Sequence, residues 1–185
     1  MKHRKLVVLA TLAFSASLPV VTHADSGIYI GGGISKSNIE DSAGNPGGVP
    51  LSESATGGKL FAGYKIDAIP LVKFAGEIGY RNLGPATSTQ AGVDVDYRVQ
   101  GVDYAVLAGV GLGPVDLMAR VGGMSYKLEK TVAGVKNKYD GTAPVYGIGL
   151  WFTVFGIGLR AEYEKIDIDE LDKAEAVSLS AFYQF

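Results

Sequence analysis

The chain has no cysteine and only two histidines, His3 and His23. Without cysteine there is no disulfide scaffold, no cysteine-ligated zinc site, no catalytic thiol and no lipid anchor on an N-terminal cysteine. Charge is sparse: 19% of the 185 residues are Asp, Glu, Lys or Arg, against roughly 25% in an average soluble domain. The apolar run Leu6 to Leu18 falls short of the ~20 residues that a membrane-spanning helix needs. Glycine and apolar residues are abundant instead. Glycine supplies 26 residues, about twice the ordinary share of roughly 7%, and 47% of the chain is hydrophobic. The length suits one domain.

The N-terminus carries a targeting pattern. Lys2, Arg4 and Lys5 form a positive n-region, Leu6 to Leu18 an apolar h-region, and Thr22-His23-Ala24 a small-residue cleavage site. This predicts a cleaved signal peptide over residues 1–24 and a single exported domain over residues 25–185. Removing those 24 residues and their three positive charges leaves 161 residues. These hold 14 Lys and Arg against 19 Asp and Glu, a net charge of −5, and no histidine. An acidic exported chain lacks the positive footprint that nucleic acid requires.

The exported part contains short segments of alternating pattern, rich in Gly, Val, Ile, Tyr and Phe, which predict eight strands. They run over Gly27 to Lys36, Gly57 to Ile66, Leu71 to Asn82, Val95 to Gly109, Val115 to Lys127, Ala143 to Phe152, Gly156 to Lys165 and Ala176 to Phe185. One face of each is almost wholly apolar, as in Val102, Tyr104, Val106 and Ala108. The other face carries charges in mid-strand: Glu77, Arg120, Arg160 and Glu162. Strands of roughly 10 residues with an apolar outer band and a polar inner face fit a transmembrane barrel. A soluble sandwich would show the same alternation, so connection lengths carry the distinction. Segments 67–70, 111–114 and 153–155 read as tight turns, whereas 37–56, 83–94, 128–142 and 166–175 read as long polar loops. The expected fold is all-β: an eight-stranded antiparallel up-and-down transmembrane β-barrel with short periplasmic turns and four longer extracellular loops. Closure follows because an unpaired edge in hydrocarbon is too costly. The segment Val145 to Leu159 is not a membrane helix, since it spans only 15 residues and holds Gly147, Gly149, Gly156 and Gly158.

Several stretches, taken in order, resemble the small OmpA-type, opacity-like outer-membrane barrels. They are Gly76-Glu77-Ile78-Gly79-Tyr80, Tyr97-Arg98-Val99-Gln100-Gly101-Val102 and Ala119-Arg120-Val121-Gly122-Gly123-Met124. Ala143-Pro144-Val145-Tyr146, Leu159-Arg160-Ala161-Glu162-Tyr163 and the terminal Leu179-Ser180-Ala181-Phe182-Tyr183-Gln184-Phe185 follow. The resemblance implies a Gram-negative outer-membrane location and a lumenal salt-bridged cluster at Glu77, Arg120, Arg160 and Glu162. Leu107 stands where the family can carry a lumenal lysine and Trp151 where it can carry a glutamate, so a smaller cluster is implied. Tyr183 and Phe185 resemble the terminal signal read by the barrel assembly machinery. The peptidoglycan-binding domain that full-length relatives add is not expected after Phe185. The implied role is structural or one of cell-surface interaction, with a narrow channel or small-ligand carrier as the alternative. Implied partners are outer-membrane lipid, lipopolysaccharide, the assembly machinery, periplasmic chaperones and an unnamed surface ligand. The protein is expected to be a monomer without cofactor.

The candidate chemistry is thin. Glu77 and Glu162 form a possible acid–base pair, but buried carboxylates need cationic partners, and Arg120 and Arg160 supply them. Outer-membrane barrel enzymes mostly use histidine as base, and the exported part has none, so no enzyme is expected. Asp167, Asp169, Glu170, Asp172 and Glu175 offer hard oxygen ligands for a divalent cation, or a solvated acidic loop. Gly31-Gly32-Gly33 is followed by neither a helix nor Lys-Ser/Thr, so it is not a phosphate loop. Asn38 to Thr56 reads as a surface loop. Tyr29, Tyr64, Tyr80, Tyr104, Tyr146, Tyr163, Tyr183 and Phe185 read as interface aromatics.

Overall fold

The computed structural model describes residues 26–41, 51–69, 71–90, 93–132, 135–169, 171 and 173–185. The expected signal segment 1–24 and residues 42–50 of the expected first long loop lie outside the described residues. Eight strands follow one another: β1 (Gly27–Asp41), β2 (Leu51–Ile69), β3 (Val72–Gln90), β4 (Val93–Leu112), β5 (Val115–Val132), β6 (Val135–Val154), β7 (Ile157–Ile166) and β8 (Lys173–Gln184). Each pairs antiparallel with the next, and β1 pairs with β8 from Tyr29↔Gln184 to Glu40↔Lys173, which closes the barrel. Strands β1 to β8 therefore form the closed antiparallel barrel that the alternation predicts, with no helix among the described residues.

One end is short and tight. Gly113-Pro114 joins β4 to β5, Phe155-Gly156 joins β6 to β7, and β1 starts and β8 ends here, Phe185 N–H donating to the Ile28 carbonyl at 2.9 Å. The other end departs from expectation. Segments 83–94 and 128–142 are not loops: β3 and β4 are 19 and 20 residues long, β5 and β6 are 18 and 20, and each pair continues to its tip. Registered pairing persists to Gln90↔Val93 and Val132↔Val135. The first loop shrinks likewise, with Asp41 paired to Leu51.

The cause is a change of phase. In the turn-end half the outward positions are apolar: Ile28, Ile30 and Ile34; Leu60 and Tyr64; Val102, Tyr104, Val106 and Val110; Ile148, Leu150 and Phe152. Nearer the loops the apolar residues move by one position and point inward. In β4, Tyr97 and Val99 are buried while Arg98 is exposed; in β5, Met124, Tyr126 and Leu128 are buried while Lys127 is exposed. Because side chains alternate with period 2, a shift of one residue moves the whole apolar set to the opposite face. The outward charges made these stretches read as loops.

At the phase change the β2–β3 ladder also breaks off, although the two backbones stay close. Pairing of β2 with β3 ends at Gly58↔Asn82, and β3 bulges between Asn82 and Pro85. Gly84 sits at φ 89°, donating its N–H to Asn82 Oδ1 at 2.9 Å. A Cβ there would lie 2.3 Å from the Thr56 carbonyl oxygen, so only glycine lets the two backbones approach this closely.

Candidate functional site

The interior is filled in layers. At the turn end, Lys65 and Lys73 reach Asp116 at 3.3 and 3.1 Å, and Lys73 reaches Asp67 at 3.7 Å. Above them lies an aromatic and aliphatic layer. Tyr29 stands 5.6 Å from both Trp151 and Phe182 and 6.2 Å from Phe61, measured between ring centroids, with Leu107 and Met118 in the same cluster. A second charged layer follows. Toward the loops it is covered by an apolar layer that includes Ile39, Leu83, Tyr97, Val99, Leu128, Ile166 and Leu171.

The second charged layer is an eight-residue network of four cations and four anions: Lys59, Arg81, Arg120 and Arg160 with Glu77, Asp103, Glu162 and Glu164. Arg160 pairs with Glu77 at 2.5 Å and, through Nε, with Glu162 at 3.0 Å. Arg120 pairs with Glu77 and Asp103, and its Nε with Glu164 at 3.2 Å. Arg81 holds Asp103 and Glu164, each at 2.8 Å. Lys59 pairs with Glu162 and reaches Glu164 at 3.3 Å. Tyr29 donates to Glu77 at 3.1 Å. The Arg160 guanidinium also lies 3.8 Å from the Phe61 ring centroid, which ties this layer to the aromatic one. All eight are buried, so each charge depends on its partners rather than on water.

Glu77, Arg120, Arg160 and Glu162 thus meet in one network, but that network is larger than four residues. Lys59, Arg81, Asp103 and Glu164 were missing from the sequence reading. Their signal was parity: Arg81, Asp103 and Glu164 share a strand face with Glu77, Leu107 and Glu162, while on β2 no residue had been placed inside to flag Lys59. Leu107 and Trp151 do point inward, where they build the aromatic layer instead of extending the charged one. Tyr29 is a correction. It is not an interface aromatic but fully buried in the lumen, on the same inward face of β1 as Gly31 and Gly33. The other seven aromatics are exposed on the outside, with Tyr183 and Phe185 edge to face at 4.9 Å. In the acidic segment, Asp167 faces Lys165 at 3.1 Å and Glu175 faces Lys173 at 3.3 Å. Among the described residues no three acidic or histidine side chains gather closely enough to hold a metal ion.

Outside the filled barrel, the upper parts of β3 to β6 form a four-stranded sheet. Its β6 edge is open: pairing with β7 begins only at Val145↔Ile166, so no described strand lies against β6 from Val135 to Ala143. Val135 and Tyr139 are 64% and 42% exposed along this edge. Lys136 and Lys138 stand between them on the other face, where Lys138 meets Glu129 at 3.3 Å with most of its side chain in solvent. Lys127 and Arg98 continue the same outer face.

Comparison with solved structures places this architecture. Ail, the attachment invasion locus protein of Yersinia pestis, superposes with a TM-score of 0.60 at 19% identity, covering 87% of this chain and 99% of Ail; that structure is a complex with the heparin analogue sucrose octasulfate. Neisserial surface protein A gives a TM-score of 0.64 at 13% identity, covering 86% of this chain and 99% of its own. No curated protein matches the sequence significantly. The pattern of the outer membrane protein β-barrel domain matches residues 6–185. With eight strands closed around a filled lumen and an apolar band outside, the chain belongs to the outer membrane protein β-barrel domain family.

Proposed function

We propose that this protein acts at the cell surface, as a closed, monomeric, non-enzymatic barrel whose extracellular sheet contacts a partner. One observation carries the reading: a lumen packed with side chains is joined to a sheet with an unpaired edge. Eight strands leave interior room for side chains only, and here those side chains form successive charged and apolar layers. The backbone groups from Val135 to Ala143, against which no described strand lies, suit the addition of an extended polypeptide strand. Val135 and Tyr139 would supply apolar contacts, and Lys136 and Lys138 at the edge itself favour a partner segment with acidic groups, while Arg98 and Lys127 stand opposite Glu129 and Asp140. That Ail has been seen with a polysulfated heparin analogue supports a negatively charged partner.

Within this reading residues 1–24 direct export, and Tyr183 and Phe185 are read by the assembly machinery after passage with periplasmic chaperones. The charged network holds the barrel shut, and lipopolysaccharide surrounds its outer rim. The absence of histidine after His23 supports a role without catalysis.

The test uses a non-adherent bacterial strain producing the protein, with adhesion measured on immobilised extracellular-matrix proteins and sulfated glycans. The wild type is expected to adhere. A combined Val135→Asp, Lys136→Glu and Lys138→Glu variant is expected to lose adhesion while remaining a folded barrel. Equal adhesion by both would defeat the edge as the contact site. Steady conductance in planar bilayers would favour the channel alternative.

A further inference from the structure

The open edge of β6 presents a row of backbone groups whose midpoint is Tyr139. Pro144 accepts the Asp167 N–H on its C=O at 3.0 Å, so that C=O points away from β5. Backbone groups alternate in direction along an antiparallel strand. The N–H and C=O of Lys136, Lys138, Asp140 and Thr142 therefore point the same way, and no described strand lies against them. Pro144, which has no N–H, ends the row on the membrane side, and Val135 begins the strand at the tip.

Two such rows can meet antiparallel, backbone groups facing, about Asn137, Lys138, Tyr139 or Asp140. About Asn137, Lys136 meets Lys138 at both sides of the centre. About Lys138 or Asp140, that charged residue meets its own image. Like charges directly opposite weaken a strand pair. Only about Tyr139 are the facing charges opposite: Lys138 meets Asp140 on both sides of the centre, and Lys136 meets Thr142. This register also joins the row from end to end, so every N–H and C=O in it gains a partner. The strands behind the edge agree. Glu129 stands between Arg98 and Lys138, and Lys127 stands opposite Asp140. One line across the joined sheets would read Arg98, Glu129 and Lys138, then Asp140 and Lys127 of the second copy, with signs alternating throughout. On the other face the exposed Tyr139 meets its own image in a non-hydrogen-bonded pair, where side chains come closest and aromatic pairs stabilise.

Symmetry also fixes where the second copy stands. The two-fold axis of such a strand pair is perpendicular to the sheet, and each copy offers the same patch. The barrel axis lies in the plane of the wall, so the rotation reverses it whatever the strand tilt. The second barrel then sits in a facing membrane. Copies within one membrane all send β6 toward the same bilayer and cannot pair in this way. From Tyr139 to Tyr146, in the lipid-facing run of β6, the strand descends about 23 Å at ~3.3 Å per residue, or about 18 Å along the membrane normal at a tilt of ~40°. The apolar bands of the two barrels would stand roughly 35 Å apart on the same spacing and tilt.

We infer that the β6 edge pairs with the β6 edge of a second copy in a facing membrane, antiparallel and centred on Tyr139, so that the protein joins like surfaces to one another. A single strand pair is a small contact, but many between two surfaces act together. The inference rests on the open edge of the proposed function and names one strand that fills it. Each barrel stays single within its own membrane.

The test is vesicle capture. The protein is refolded into phosphatidylcholine–phosphatidylglycerol vesicles; one population is immobilised and a second, dye-labelled, is added. Wild-type vesicles are expected to capture one another several-fold above protein-free vesicles. Lys138→Asp alone and Asp140→Lys alone are expected to fall to the protein-free level, because like charges then face each other. Lys138→Asp on one population against Asp140→Lys on the other is expected to restore capture. Both side chains are exposed, and heat-dependent gel migration verifies that each variant is a folded barrel. Undiminished capture by either variant alone, or no restoration by the mixture, would overturn the inference. The chain has no cysteine, so register can be read separately. With an added oxidant, Tyr139→Cys is expected to yield a disulfide-linked dimer between the two populations, and Asn137→Cys is not, since residue 137 would face Gly141. The reverse result would overturn the register. Wild-type vesicles that fail to capture one another, while producing cells still adhere to matrix proteins or glycans, would overturn self-pairing and leave the surface-contact reading standing. Capture without such adhesion would support self-pairing and remove the foreign partner.

Discussion

The two halves of this barrel use the same strands and the same alternation with opposite phase. In the membrane half the residues facing out are apolar and those facing in are charged: Val106 and Leu159 meet lipid, while Glu77 and Arg160 meet each other. In the extracellular half the faces exchange roles, so that Leu128 and Val99 pack inside while Lys127 and Arg98 face water. Alternation alone thus says nothing about the solvent on either side. The position of the phase change does, and it marks where one continuous sheet leaves the bilayer. The halves also differ in what fills space around an apolar side chain. Lipid flows into a gap on the membrane side, whereas the inner apolar layer of the extracellular half is closed by protein.

That contrast can be broken most forcefully from inside. Arg160→Ala leaves Glu77 and Glu162 buried with fewer partners, and loss of one member of a buried pair costs about 3–5 kcal/mol. Arg98→Ala, at an exposed position above the bilayer, is expected to cost less than about 0.5 kcal/mol. Urea unfolding in lipid vesicles measures both, and similar losses would mean that the lumenal network contributes little. Next come two leucines. Leu128→Ala is expected to cost about 2–5 kcal/mol through the cavity it leaves. Leu159→Ala, facing lipid, is expected to cost under about 1 kcal/mol, since it leaves no cavity. A reversed order would invert the assignment of phase. On the same lipid face, Leu159→Lys is expected to cost about 2–4 kcal/mol near the midplane. An unchanged urea midpoint for that variant would place residue 159 in water. The smallest effect is expected at Lys127→Ala, within about 0.5 kcal/mol of wild type, as for other solvated surface positions. A loss above that would give Lys127 a structural role in the extracellular sheet.

The sequence exposed the membrane half more fully than the extracellular half, for a physical reason. Runs such as Val102, Tyr104, Val106 and Ala108 stand out because lipid demands apolar residues at every outward position. Above the bilayer, Arg98, Lys127 and Lys138 interrupt the pattern, and the inward set of Tyr97, Val99, Tyr126 and Leu128 is offset by one residue from the set below. The eye reads that offset as the end of a strand. The same error hid part of the charged network. Arg81 looked terminal while β3 was taken to end at Asn82, and the continuation of β3 to Gln90 puts it in mid-strand, whereas Glu164 stays near the end of β7 and was marked only by its parity with Glu162. Tyr29 was misplaced on residue type, although its parity with Gly31 and Gly33 pointed inward. No sequence signal marks the open edge of β6, because it arises from the early end of β7, a property of two strands together.

The open edge of β6 carries a charge pattern that bears on which strand can pair with it. A cell surface dense with identical barrels brings many such edges together, and an unpaired strand is a template for another copy of itself. If two β6 edges paired antiparallel about Asn137, Lys136 of each would stand opposite Lys138 of the other. Like charges directly opposite weaken a strand pair. Self-pairing is penalised twice over, by both lysine pairs at once, whereas a foreign strand with acidic residues at those places meets no such penalty. The two lysines thereby disfavour that one register of self-pairing, whereas a register about Tyr139 would set each Lys138 opposite Asp140.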